Sequence, residues 1–174
     1  PDIRSGQVDK PWALTGAATG RPGRVIRSLF MSPGEEGMLE QQNYVLKAKY
    51  DRMAEHEVLC EDLLTDNAEV IVVAFGTAAR IAKTAVNIAR TEGIRAGLVR
   101  PITLFPFPER VLAQLAAHVS RFLVVEMNLG QMVEDVRLAV NGRAPVAFYG
   151  RPGGAVLAVE EILCALKEGK SKSH

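Results

Sequence analysis

The chain has 174 residues, a formal net charge of +1, 48% hydrophobic residues and 24% charged residues. A packed core is therefore available and disorder throughout is excluded, while the near-neutral balance calls for neither a nucleic-acid nor a membrane partner. No apolar run reaches the roughly 18 residues of a spanning helix. Cys60 and Cys164 are too few for a structural zinc or an iron–sulfur cluster, each of which needs about four ligands; a reduced, cytoplasmic setting is the simplest reading.

The chain opens Pro1-Asp2-Ile3-Arg4 without a methionine. The expectation is a trimmed or incomplete chain whose function belongs partly to what is missing. Residues 1–37 read as a connecting arm, punctuated by Gly6, Pro11, Gly16, Gly20, Pro22, Gly23, Pro33, Gly34 and Gly37. The arm also carries Trp12, Leu14, Val25, Ile26, Leu29, Phe30 and Met31. Such apolar density predicts packing against its own domain or an absent neighbour.

From Met38 to Leu64 the pattern is helical, with Leu39, Leu46, Met53 and Leu64 among charged residues and no interior Gly or Pro. Residues 38–66 are thus predicted as a linker helix, in one piece or two. Residues 67–169 form the predicted domain, and residues 170–174 a disordered tail.

Within that domain, Glu69–Phe75 (EVIVVAF) is a β-branched run that suits a strand buried on both faces of a parallel sheet. A helix over Ala78–Thr91 follows, with Thr77 as its expected N-cap and Gly93 as its stop. Arg95–Leu104 is a second strand, weakened at its end by Pro101. A helix entered through Pro108 near N1 runs to about Val119. Arg121–Met127 is a third strand, and the next helix, from about Gly130 to Val140, closes at Asn141-Gly142. A fourth strand over Pro145–Tyr149 and a helix over Ala155–Lys167, stopped by Gly169, complete the series. Four strand-then-helix units predict an α/β fold with a doubly wound, mostly parallel open sheet and helices on both faces. Such sheets bind ligands beyond the carboxyl ends of their strands, where the winding reverses. That switch is expected between the first and third strands of the series, bringing Gly76-Thr77 near Glu126-Met127-Asn128.

The turn Gly76-Thr77-Ala78-Ala79-Arg80 lacks the further glycines of a dinucleotide fingerprint and the Gly-Lys-Ser/Thr of a phosphate loop. A tight turn and a cap explain it. Glu126-Met127-Asn128-Leu129-Gly130-Gln131 places three polar side chains at the expected crevice. Two readings stand: recognition of a ligand or partner, or helix entry with Asn128 as a cap and Glu126 paired to an Arg. Gly150-Arg151-Pro152-Gly153-Gly154 can hold an anion at a helix start, although ordinary turn chemistry accounts for it better. Arg100, at another strand end, can face the same crevice. His56 and Cys60 stand at i and i+4, which suits a metal clamp only in part; a structural role is the better reading. No Ser, Cys or His falls into a triad-like pattern.

Three blocks resemble the alpha-type subunit of 2-oxoacid:ferredoxin oxidoreductases: Val72–Val86 (VVAFGTAARIAKTAV), Gly97–Pro108 (GLVRPITLFPFP) and Val124–Gly154 (VVEMNLGQMVEDVRLAVNGRAPVAFYGRPGG). The branch that fits best is that of the 2-oxoisovalerate, or branched-chain 2-oxo acid, enzymes. Lys10–Gly16 (KPWALTG) and the surroundings of Lys49-Tyr50 look familial too, while Phe75 and Phe105 depart from an expected Tyr and Trp. The resemblance implies a subunit of an enzyme that decarboxylates a 2-oxo acid with thiamine diphosphate and Mg, passes electrons through iron–sulfur clusters to ferredoxin, and forms acyl-coenzyme A. It implies that this segment is similar to the transketolase C-terminal domain, and that the pyrimidine-binding N-terminal domain and the beta and iron–sulfur subunits lie elsewhere. No cofactor is expected on the segment alone, and no catalytic residue carries over. Thr77, Arg100, Glu126, Asn128, Gln131 and Arg151 are the expected crevice or interface contacts. A free-standing flavodoxin-like module that binds a nucleotide or another small molecule is the alternative.

Overall fold

The computed structural model describes residues 37–168. Most of the expected arm, Gly169 and the expected tail lie outside the described residues. The chain divides into two units at Leu46/Lys47. The described part of the first is residues 37–46, the opening half of helix α1 (Met38–His56). There Tyr44 donates from its hydroxyl to Glu40 Oε1 at 3.2 Å, an exposed i, i+4 pair.

The second unit begins with the other half of α1 and continues through β1 (Cys60–Leu63), β2 (Val70–Ala74), α2 (Gly76–Thr91), β3 (Ala96–Pro101) and α3 (Glu109–Leu115). It closes with β4 (Arg121–Glu126), α4 (Met132–Val140), β5 (Val146–Gly150) and α5 (Val159–Glu168). The strands form one sheet in the order β1-β3-β2-β4-β5. β3, β2, β4 and β5 run parallel, and β1 joins antiparallel to β3 at the edge.

Side-chain alternation along the strands builds two cores. Val72, Leu98, Leu123 and Val125 point to the face covered by α2 and α5, where Ala82, Val86, Ile162 and Leu166 pack on them. Ile71, Val73, Phe122 and Val124 point to the other face, under α3 and α4, against Leu112, Met132, Val136 and Val140. Every residue of β2 is buried, as a central parallel strand requires. Helix α2 ends in a Schellman closure. Gly93, at φ +85°, donates to the Arg90 carbonyl at 3.1 Å, and Ile94 donates to that of Ala89 at 2.9 Å.

The doubly wound, mostly parallel α/β fold is thus as expected, with differences at element ends. The helix expected to reach Leu64 stops at His56, and residues 60–63 are instead an edge strand. Pairing outcompetes helical continuation there: Glu61 lies opposite Arg100 and bonds it at 2.8 Å. The Leu59 carbonyl also accepts from the amides of Ile102 and Thr103. His56 and Cys60 therefore share no helix face. Thr77 does not cap α2; the cap position is Phe75, and Thr77 lies in the first turn. Pro108 occupies the cap position of α3 rather than N1, and α3 ends at Leu115, short of Val119. Helix α5 starts at Val159, four residues later than Ala155, because the glycine-rich stretch after β5 stays irregular.

Candidate functional site

In this strand order the winding reverses between β2 and β4, where Ala74, the last residue of β2, pairs with Val125, one residue before the end of β4. The crevice beyond their carboxyl ends is the place where such sheets take ligands. What fills it is Glu126. Its side chain is fully buried (0% exposed). Its carboxylate accepts the backbone N–H groups of Met132 and Val133 at 3.0 Å each, and that of Gln131 at 3.3 Å. The Asn128 side-chain amide donates to it at 3.0 Å. The first amides of a helix have no intrahelical acceptor and carry the positive end of its dipole. Here a carboxylate from the preceding strand satisfies them, so the anion seat of α4 is occupied from within.

The same segment is tied down twice more. Asn128 Oδ1 accepts the Gly130 amide at 2.7 Å, an Asx turn that leaves Gln131 in the cap position of α4. On the other side the ladder runs on past β5, the Arg151 amide donating to the Glu126 carbonyl at 3.2 Å. Gly150 is required there: a Cβ on it would collide with the Asn128 carbonyl and the Phe148 ring. Of the two readings of this segment, helix entry describes the contacts, but with the roles changed. Asn128 closes a turn instead of capping the helix, and Glu126 caps instead of pairing with an Arg.

Arg151 is spent in a similar way. Its guanidinium bonds Glu161 Oε1 at 2.9 Å and the Val156 carbonyl at 3.3 Å. The other Glu161 oxygen takes the Ala158 amide at 2.8 Å, half of a capping box for α5. That amide first, and then the charge and hydrogen bond of Arg151, hold the Glu161 carboxyl below its ordinary range against the opposing effect of burial. Glu126, Asn128 and Gln131 are therefore brought together, with the Arg151 backbone beside them. Arg100 is not among them. It stands beyond β2, paired to Glu61, and its buried Nε has no partner. It lines a separate depression of about 520 Å³ with Glu61, Asp62, Leu63, Ala79, Arg80, Lys83 and Leu98. Thr77 is exposed in the first turn of α2.

Sequence reasoning missed the exposure of the apolar side chains at this edge. Leu129, at the tip of the tied-down loop, is 79% exposed, and Phe105, after β3, is 65% exposed. The signal that could have found Leu129 is an apolar residue flanked by Asn128 and Gly130, a loop position where hydration favours polar side chains.

Among the described residues no group of three or more His, Cys, Asp or Glu side chains is placed to hold a metal ion. Cys60 is partly buried and Cys164 exposed. Burial, reinforced by the neighbouring Asp62 carboxylate, raises the Cys60 thiol above its ordinary range. No helix among the described residues is long and apolar enough to cross a membrane.

A five-stranded, doubly wound α/β domain whose switch point is closed by its own carboxylate defines the class. Comparison with known proteins then places it. The family model for pyruvate:ferredoxin oxidoreductase core domain II matches residues 68–162, and the chain belongs to that family. The chain is 41% identical over 160 residues, 92% of its length, to the ketoisovalerate oxidoreductase subunit VorB of Methanothermobacter thermautotrophicus. It is 36% identical over 127 residues, 71% of its length, to the 2-oxoglutarate synthase subunit KorA of Methanothermobacter marburgensis. It spans 44% of that VorB and 34% of that KorA, less than half the length of either. Its fold resembles a chain of the 2-oxoglutarate:ferredoxin oxidoreductase from Magnetococcus marinus, solved with 2-oxoglutarate, coenzyme A and succinyl-CoA bound. That match has a TM-score of 0.62 at 17% identity and covers 78% of this chain and 24% of the other. A split-gene transketolase matches with a TM-score of 0.56 at 20% identity, over 63% of this chain and 41% of the other.

Proposed function

We propose that the chain is the C-terminal, transketolase-like part of the alpha subunit of a cytoplasmic 2-oxoacid:ferredoxin oxidoreductase acting on a branched-chain 2-oxo acid. The observation that carries this reading is the 41% identity to VorB across 92% of the chain. In this reading residues 67–169 are the domain and residues 1–37 its connecting arm. The partners are a pyrimidine-binding N-terminal domain and the beta and iron–sulfur subunits, with ferredoxin as the electron acceptor.

The holoenzyme would use thiamine diphosphate with Mg, iron–sulfur clusters and coenzyme A, the cofactor supplying the carbanion chemistry. The described residues do not fit the first two groups. A diphosphate with its metal needs carboxylates and free amides, and the amides of α4 are already taken by Glu126. A cluster needs about four thiolates, and the chain has two cysteines. No reaction step is therefore assigned to this chain. Its part is to hold neighbouring domains and shape the approach to their site. Among the six crevice candidates, Glu126, Asn128 and Arg151 hold the loops in place. Thr77 and Gln131, exposed at two helix starts, and Arg100, with its unpartnered Nε, remain for contacts with neighbours.

The test is reconstitution. The chain joined to the rest of a VorB-type subunit and assembled with the other subunits should reduce a viologen dye when given a 2-oxo acid and coenzyme A. Turnover should be faster with 2-oxoisovalerate than with 2-oxoglutarate, and absent with the chain alone. A preference for 2-oxoglutarate would move the substrate assignment to the KorA type. Turnover by the chain alone would remove the supporting role. The flavodoxin-like alternative is disfavoured by the family match and by relatives that are oxidoreductase or synthase subunits.

A further inference from the structure

In the second unit Tyr50, Ile88 and Leu138 are exposed on helices, and the exposed large apolar side chains outside helices are unevenly distributed. Leu59 (54% exposed), Ile102 (48%), Leu104 (45%), Phe105 (65%), Leu129 (79%) and Val156 (63%) all lie at the carboxyl edge of the sheet, where β3, β4 and β5 end and the antiparallel β1 begins. At the amino edge the corresponding residue is Leu64 (44%).

These side chains are not on slack loops. Leu129 sits between the anchors made by Glu126 and Asn128. The loop after β3 is pinned by Thr103, whose amide donates to the Leu59 carbonyl and whose Oγ1 donates to the Pro106 carbonyl at 2.9 Å. Phe105 stacks edge-on against Tyr50 at 5.7 Å. Val156 lends its carbonyl to the anchored Arg151. Apolar side chains displayed on pre-ordered loops lose little entropy on contact, which is what anchor residues of a protein interface need. Arg100, Glu126, Arg151 and Glu161 are each paired or hydrogen-bonded within the chain, while Asp51, Glu55, Glu109, Arg110 and Asp135 form a charged rim beside Leu104 and Phe105. Apolar tips with a charged rim match the anatomy of a protein interface.

We propose that this carboxyl edge is the surface on which the remainder of a VorB-type subunit packs, the portion with no counterpart in this chain. The identity of the occupant rests on the functional reading above. It follows from length: the chain matches VorB over nearly its whole extent and yet spans 44% of it, so more than half of such a subunit is available to cover the edge. A second copy of this chain is the competing occupant.

The experiment mixes the chain with the complementary portion of Methanothermobacter thermautotrophicus VorB and measures association by light scattering and titration. Leu129→Asp and Phe105→Asp are compared with Leu138→Asp, an equally exposed site (77%) on α4 away from the edge. Circular dichroism and Tm confirm that all three variants fold. The expected result is a one-to-one complex that each edge variant weakens at least 10-fold and Leu138→Asp leaves unchanged. Edge variants that bind like the wild type, equal loss at Leu138, or no complex at all overturn the proposal. So does self-association of the chain that the edge variants abolish, which assigns the edge to a second copy. A complex that forms as expected in an enzyme with no 2-oxo acid turnover would leave the surface standing and remove the functional reading instead.

Discussion

The two edges of the sheet use hydrogen bonds for opposite ends. At the amino edge they seal. The Arg90 guanidinium donates to the carbonyls of Ala96 and Leu64, both at 2.6 Å, and to Asn67 Oδ1 at 2.8 Å. Ser120 closes on the Glu69 carbonyl through its amide and its hydroxyl, and Arg121 on that of Leu166. Backbone groups that loops would otherwise leave to water are thereby tied to neighbouring elements. At the carboxyl edge the bonds point inward and hold loops whose outer side chains are apolar. The contrast separates an edge whose bonds close the backbone from one whose bonds order loops with exposed apolar tips.

The largest expected effect is at the buried carboxylate. Glu126→Ala strands three backbone amides and the Asn128 amide in a buried site. It should lower unfolding free energy by about 3–5 kcal/mol, read from urea melts. Glu126→Gln keeps the shape but loses the charge, and should cost about 1–3 kcal/mol. A loss under about 1 kcal/mol for Glu126→Ala would mean that Glu126 does not hold the loop. Next comes the amino edge, where Arg90→Ala removes bonds to the carbonyls of exposed Leu64 and buried Ala96. It should cost roughly 1–3 kcal/mol, less than Glu126→Ala, which strands more buried groups; the reverse order would break the contrast between the edges.

A smaller effect is pH-dependent. The Glu161 carboxyl titrates lower in the folded chain than its ordinary 4.5. The stability it contributes is therefore present above that value and is lost as pH falls through the folded one. Wild type should melt above Glu161→Gln at pH 6, and the gap should narrow toward pH 3. A gap that is constant with pH would show that the capping bond does not carry the difference. The smallest effect is chemical: iodoacetamide should label exposed Cys164 before Cys60, whose thiol is raised by burial and by Asp62. Mass spectrometry after partial alkylation reads the order, and faster labelling of Cys60 would mean that the β1 edge opens.

The regular part of this fold was legible because burial imposes pattern. The continuous β-branched run around Val70–Ala74 reads as a strand buried on both faces, and its neighbours repeat the strand-then-helix alternation. Strand β1 was not legible. Its sequence, Cys-Glu-Asp-Leu, continues a helical charge pattern, and only Arg100, 39 residues away, gives Glu61 a reason to extend. The candidate site was half legible for a similar reason. Residues 126–131 stood out by polarity, but whether Glu126 faces a ligand or its own helix depends on where α4 begins, which local pattern leaves open by a turn. The exposure of Leu129 was not legible because a lone apolar residue in a loop carries no periodicity, and Phe105 was singled out only by resemblance, within the apolar run Leu104–Phe107.

Glu126 occupies the first amides of α4 at the switch point, which leaves that seat no vacancy for a small anion. Thermal melting of the 174-residue chain with FMN and with inorganic pyrophosphate at millimolar concentration tests it most directly, since any ligand that binds only the folded state raises Tm. An unchanged Tm with both is the predicted result. A concentration-dependent rise with either ligand, abolished by Gln131→Ala or Arg151→Ala, would show that the start of α4 still binds an anion.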